Sequence, residues 1–416
     1  MKILLENIKE LIQVEDQPVE MVKGKSMSRL QTITDAFLLI NDEIIEDFGK
    51  MSEIDRILLA DDFLMEIDCK GRLVLPAWCD SHTHIVYAGS REKEFIGRIQ
   101  GLSYQQIAEQ GGGILNSAHL LGETSEEQLY EQAYARVREV MQYGTGALEI
   151  KSGYGLNPQS EIKMLRVIQR LRLTTPLCIR ATFLGAHAVP AEFKNNVSGY
   201  VDVIINEMIP QIGGEGLADF IDVFCEEGYF SPEDTERILM AGMKYGLRAK
   251  IHANEMAFSG GVQAGVKYNA LSVDHLEYMG DDEIAALKES NAMPTMLPGA
   301  SFFLNMPYAP ARKLIDAGLP VALATDFNPG SSPAGNMNFI GSLACIKQKL
   351  LPNEVINAGT INGAYAMGVS NRLGSIAKGK TANMFITSKI PNIDYLFYSY
   401  GSNLIDSLIL NGEIQF

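Results

Sequence analysis

The sequence predicts an α/β fold: a (β/α)8 TIM-like barrel, with a small β-rich domain made from the two ends of the chain. Two observations carry the barrel. Between residues 73 and 370, eight short apolar, β-branched runs alternate with stretches of helical spacing, the rhythm of a parallel sheet wrapped in helices. Five of the six histidines fall at the C-terminal ends of those runs, the face on which such barrels carry their chemistry. An open doubly wound sheet has the same alternation and is the alternative architecture.

Taken in order, the chain begins with meander chemistry: Phe37-Leu38-Leu39-Ile40 runs into the turn residues Asn41-Asp42, and Glu43-Ile44-Ile45 resumes an extended pattern. The C-terminal end repeats it, with Gly374-Ser375-Ile376 and Asn383-Met384-Phe385-Ile386 separated by Lys378-Gly379-Lys380. Each end alone has too few strands to bury a face. Residues 1–72 and 371–416 are therefore expected to pair as one β-sandwich-like domain, leaving 73–370 as the barrel. Its strands are expected at 73–80, 146–152, 177–185, 220–226, 247–252, 270–275, 292–297 and 320–326. Helical spacing covers 126–142, 159–173, 232–245 and 307–317.

Charge and composition exclude several classes of function. Lys plus Arg number 35 against 51 Asp plus Glu, a net charge of −16. Nonspecific attraction to nucleic acid or an anionic membrane is not expected from that balance. The first residues, Met1-Lys2-Ile3-Leu4-Leu5-Glu6, acquire charge too early for the apolar centre of a signal peptide. No later segment is apolar for the length of a membrane span. The five cysteines are scattered singly, which fits reduced thiols and a cytoplasmic location.

The candidate chemistry starts at Asp80-Ser81-His82-Thr83-His84. Residues i and i+2 of an extended chain face the same side, so His82 and His84 can reach one point in space. His252 and Asp326, at the ends of the fifth and eighth runs, complete a set of three imidazoles and one carboxylate suited to zinc or iron. An ion held there activates water for attack on an unactivated C–N bond. Glu255, three residues beyond His252, is placed to move a proton. His275, after Leu271-Ser272-Val273-Asp274, can polarise a carbonyl or orient the water. Arg91 is a cation near the mouth, shaped for bidentate carboxylate recognition. Tyr154, His187 and Asn328 add polar groups on loops bordered by glycine, which permit close ligand approach.

These residues resemble the amidohydrolase superfamily, which carries His-x-His after strand one, His after strands five and six, and Asp after strand eight. Within it the chain resembles the imidazolonepropionase family of histidine degradation. The carrying motifs are Asp80–His84, Ala88-Gly89-Ser90-Arg91, Lys151-Ser152-Gly153-Tyr154-Gly155-Leu156, Phe183–Pro190 and Ala324–Ser331. The resemblance implies one metal ion, zinc or iron, on His82, His84, His252 and Asp326, and a homodimer. It implies a small-molecule substrate contacted by Arg91, Tyr154, His187, Glu255, Asn328, Gly330 and Ser331, with Glu255 and His275 catalytic. The reaction it implies is hydrolysis of the lactam C–N bond of 4-imidazolone-5-propanoate. Three positions depart from the family pattern: Asn254 stands where Asp is frequent, and Ala77 and Cys79 replace Gly and Val below the ligands. The rival readings are a related barrel that deaminates or opens another cyclic amide or nucleobase, and a noncatalytic relative. No missing ligand supports the latter.

Overall fold

The structure, a computed structural model, describes residues 2–54, 64–102, 106 and 112–416. In chain order its first strands are β1 (Lys2–Ile12), β2 (Thr32–Asn41), β3 (Ile44–Lys50), β4 (Leu64–Asp68) and β5 (Leu73–Pro76). Next come β6 (Trp78–Thr83), β7 (Thr145–Lys151), β8 (Cys178–Ala186), β9 (Phe220–Cys225), β10 (Arg248–Ala249), β11 (Ile251–Ala253), β12 (Ser272–His275), β13 (Met293–Met296) and β14 (Ala322–Leu323). The last are β15 (Met384–Thr387), β16 (Ile405–Leu410) and β17 (Glu413–Ile414).

The two ends of the chain share one sheet, ordered β17-β16-β15-β5-β1-β2-β3. It forks at β1, whose Lys2–Glu6 pair with β4 and whose Glu10–Leu11 pair with β5. Alternation along these strands sends Ile3, Leu5, Leu38, Ile40, Val74, Met384 and Ile409 into a shared apolar core. The expected strand 73–80 is two strands. Leu73–Pro76 belongs to this sheet, Ala77 donates its N–H to Asn383 O at 3.0 Å, and Trp78 opens the barrel by donating to Gly144 O at 2.9 Å. Trp78 also packs against Phe385, with centroids 5.3 Å apart and the rings tilted by 41°, and so joins the two sheets.

The second sheet is parallel, ordered β6-β7-β8-β9-β11-β12-β13-β14, with β10 beside β9. The chain after β14 returns to β6: Asp326 N–H donates to His82 O at 3.0 Å and His84 N–H to Phe327 O at 2.9 Å. That seam brings the first and last strand ends together, as a barrel requires. Its helices begin where caps dictate. Ser125 accepts from Gln128 N ahead of helix Glu126–Gln142, and Asn157 accepts from Ser160 N with Pro158 in the first turn of Pro158–Thr174. Leu129, Ala133, Val137 and Val140 form the buried stripe of the former. The expected helix 307–317 is shorter, Ala311–Asp316, because prolines at 307 and 310 delay its start.

Candidate active site

Strand ends deliver the histidines to one place. His82 Nε2 and His84 Nε2 are 3.3 Å apart, and each lies 3.6 Å from Asp326 Oδ1. The His252 ring centroid is 4.4 Å from that of His82. Ligand atoms of His82, His84 and His252 fall within 4.8 Å of one another, as do those of His82, His275 and Asp326. All of these side chains are buried. Burial, then neighbouring cationic groups, pushes His82, His84 and His252 well below the usual imidazole range, so the rings are neutral. Burial pushes the Asp326 carboxyl up to about 6.

Buried polar atoms normally have partners, yet His252 Nε2 and His84 Nδ1 have none. Neutral, inward-turned imidazoles beside a carboxylate form the donor set of a borderline divalent metal. The residues therefore fit the ion that the chemistry calls for. Asp80, at the same strand end, does not join them. Its Oδ1 accepts from Thr325 N at 3.0 Å and its Oδ2 from Thr325 Oγ1 at 2.6 Å, which ties β6 to the segment that presents Asp326.

A cavity of about 240 Å³ opens above these groups. Arg91, Tyr154, His187, Asn328, Gly330 and Ser331 line it, with His84, His252, Glu255, His275 and Asp326. His82 is absent from its wall and lies beneath. Arg91 Nε donates to Ser117 Oγ at 2.9 Å, its guanidinium sits 5.8 Å from the Tyr154 ring centroid, and Nη2 is buried without a partner. His187 Nδ1 lies 3.0 Å from Gly153 O and donates to it, which leaves Nε2 as an acceptor. Burial lowers this imidazole to about 4.

Asn328 organises its own loop. Its Oδ1 accepts from Gly330 N at 2.7 Å and Ser331 N at 2.8 Å, while Nδ2 donates to Asp326 O at 2.7 Å. Ser331 Oγ donates to Asp326 Oδ2 at 3.0 Å. Asp326 (φ 53°), His275 (φ 80°), Leu276 (φ 68°) and Asn254 (φ 57°) all lie at positive φ, an uncommon conformation for non-glycine residues that clusters at functional sites. Asn254, the departure from the family pattern, is a brace: Nδ2 donates to Tyr278 O at 2.8 Å and Oδ1 accepts from Ser259 Oγ at 2.9 Å.

Glu255 Oε2 is 3.7 Å from His275 Nε2, and Glu277 Oε2 is 3.7 Å from His275 Nδ1. Burial raises the Glu255 carboxyl, opposed by the charge on His275. Burial opposes charge on His275, but Glu255 and Glu277 outweigh it and raise this imidazole. Glu255 and His275 thus face one another across 3.7 Å at the wall of the cavity.

Sequence reading missed three contributors. Glu226 accepts from Glu255 N at 2.9 Å and Met256 N at 3.1 Å, so it sets the loop that carries Glu255. Arg98, seven residues after Arg91 on helix Glu92–Ile99, lines the cavity and donates to Gly330 O at 2.9 Å. Its i+7 spacing from Arg91 is the signal that could have found it. Lys151, which entered only as the first residue of a family motif, is wholly buried with Glu149, Asp222, Asp274 and Lys250. Burial opposes its charge, but Asp222, Glu149 and Asp274 outweigh that and raise the ammonium. Ionisable residues two apart in an extended segment, as at 149 and 151 or 250 and 252, were the available sign.

The amidohydrolase family profile matches residues 73–414. An imidazolonepropionase of Flavobacterium johnsoniae is 57% identical over 411 residues, covering 99% of each chain. One from Christiangramia forsetii is 56% identical over 414 residues, covering 100% of each, and one from Geobacillus kaustophilus is 43% identical over 374 residues, covering 90% of this chain and 86% of that one. Among solved structures, E. coli guanine deaminase superposes with a TM-score of 0.75 at 15% identity, covering 100% of this chain and 99% of that one. A triazine hydrolase variant does so with a TM-score of 0.75 at 16% identity, covering 99% and 94%. At that identity these two share the fold.

Proposed function

The chain belongs to the amidohydrolase family and, within it, to the imidazolonepropionases, and on that premise we propose how its cavity opens the substrate ring. The reaction is the hydrolysis of the lactam C–N bond of 4-imidazolone-5-propanoate, with one water consumed and N-formimidoyl-L-glutamate formed. The observation that carries the site reading is the convergence of three neutral, buried imidazoles and Asp326 under a cavity whose wall holds Arg91.

His82, His84, His252 and Asp326 would hold one metal ion, zinc or iron, since either suits this donor set. When bound, the ion supplies Lewis acidity that brings the pKa of water from about 15.7 towards about 7. Glu226, the carboxylate at the end of β9, is engaged by the backbone N–H groups of Glu227, Glu255 and Met256, which supports a single ion.

Glu255 takes the proton of the attacking water and returns it to the departing ring nitrogen. His275, protonated beside it, donates to the carbonyl oxygen as negative charge develops there. Arg91 Nη2 pairs with the propanoate, with the Tyr154 hydroxyl alongside. His187 Nε2 accepts a ring N–H. The loop from Asn328 to Ser331 closes the end of the cavity and keeps Asp326 aimed into it.

No helix among the described residues is long and apolar enough to cross a membrane. The five free cysteines support a reducing, cytoplasmic setting, and the family pattern supports a homodimer, checked by sedimentation equilibrium. The deciding experiment follows the loss of imidazolonepropionate absorbance with and without a chelator. Turnover that stops with chelator and returns with zinc or iron is expected. Turnover indifferent to metal would refute the site reading.

A further inference from the structure

Beneath the cavity, five charged side chains from four segments of the parallel sheet meet in the buried core. Lys151 Nζ is 2.7 Å from Glu149 Oε1, 2.8 Å from Asp222 Oδ2 and 3.5 Å from Asp274 Oδ2. Two of its three N–H donors have hydrogen-bond acceptors, and Asp274 is its ion-pair partner on a third side. Glu149 is itself held: Thr182 Oγ1 donates to its Oε1 at 2.7 Å, and Lys250 Nζ, which also donates to Ser81 O at 3.2 Å, bonds its Oε2. The ammonium therefore has a fixed seat.

What it holds in turn are the two carboxylates that touch the imidazoles. Asp274 Oδ2 is 2.6 Å from His82 Nδ1. Asp222 Oδ2 is 3.0 Å from His252 Nδ1, short but off the line of a hydrogen bond, and its Oδ1 accepts from His252 N at 3.1 Å. A neutral imidazole that keeps its proton on Nδ1 presents a bare Nε2. His82 Nε2 faces His84 and Asp326, and His252, whose Nε2 is buried without a partner, has a ligand atom within 4.8 Å of those of His82 and His84.

We propose that Lys151 is a positioning residue of the metal centre: it clamps Asp222 and Asp274 together, and through them orients His252 and His82 with Nε2 towards the ion. β6 and β11, separated in the sheet by β7, β8 and β9, could otherwise carry their imidazoles independently. One ammonium gives both a common reference. Without it, two like charges share the core uncompensated, Asp274 loses its cationic partner, and Asp222 keeps only the backbone N–H bonds to its Oδ1. The catalytic groups Glu255 and His275 lie on the far side of the ligands and need no contact with Lys151.

This rests on the metal-dependent reading above, and the test separates the two. Wild type, Lys151→Met and Asp274→Asn are compared by competition with a chromophoric chelator for zinc, by the visible spectrum of the cobalt-substituted protein, and by thermal melting without metal. Loss of an outer partner of a ligand costs about 10- to 100-fold in metal affinity. Lys151→Met is expected to show a loss in that range with an altered cobalt spectrum, while KM at saturating metal stays within about twofold because no substrate contact changes. A folded Lys151→Met that competes as wild type does, with an unchanged spectrum and only a lower melting temperature, makes the residue structural and overturns the proposal. Should that variant not fold, Asp274→Asn decides: about tenfold weaker zinc is expected, and unchanged affinity overturns the clamp. A wild-type protein that binds no metal would remove the parent reading as well.

Discussion

Arg91 packs directly on Gly330: a Cβ at residue 330 would lie 2.5 Å from Arg91 Nη1. The glycine is needed for close approach, and the guanidinium that occupies its space lines the cavity and keeps a buried, unpartnered Nη2.

Arg91→Ala is expected to raise KM by about 10²-fold or more, since truncating one partner of a buried charged pair costs about 2–5 kcal/mol. Gly330→Ala pushes the guanidinium aside and should raise KM by about tenfold with kcat little changed, the signature of lost ground-state binding. Steady-state kinetics on both variants checks this. An unchanged KM in Arg91→Ala would take the residue out of the substrate site.

Glu255→Gln keeps the shape of the side chain and removes its ability to take a proton. A fall in kcat of about 10²- to 10⁴-fold is expected, with metal content unchanged by elemental analysis. Glu226→Gln should act on the same step more weakly, because it loosens the two N–H bonds that seat the Glu255 loop. Full activity in Glu255→Gln would transfer the proton to another group.

Metal removal should cost stability as well as activity. Binding to the folded state alone contributes about 2.7 kcal/mol when free ligand is a hundredfold above Kd. The chelated protein is therefore expected to melt several degrees lower in calorimetry and to recover on adding zinc or iron. Identical melting curves with and without chelator would contradict a site built from His82, His84, His252 and Asp326.

The contact between Trp78 and Phe385 joins the two sheets, and Phe385 is fully buried. Phe385→Ala should destabilise the protein by about 3–5 kcal/mol through lost burial and the cavity left behind. At low temperature, where the variant is still folded, kcat and KM should match wild type. Chemical denaturation gives the first quantity and the absorbance assay the second.

Local periodicity made the pair His82 and His84 legible, because two residues apart on a strand is the same face whatever surrounds it. The alternation of runs and helices likewise announced a barrel, and its polar strand ends announced where the cavity would be. The division of residues 73–80 between two sheets was not legible, since both halves are equally apolar and only the partners of Leu73–Pro76 and Trp78–Thr83 tell them apart. Nor was the role of Asn328, whose amide turned out to organise its own loop, or the contribution of Glu226. The meeting of Lys151 with Asp222 and Asp274 lay furthest from the sequence. It depends on the relative heights of separate strands across a closed sheet, a quantity set by register and barrel closure rather than by the composition of any one segment. The chain's own order thus determined which donor types exist and on which faces; the tertiary structure decided which carboxylate each imidazole meets, and what holds that carboxylate in place.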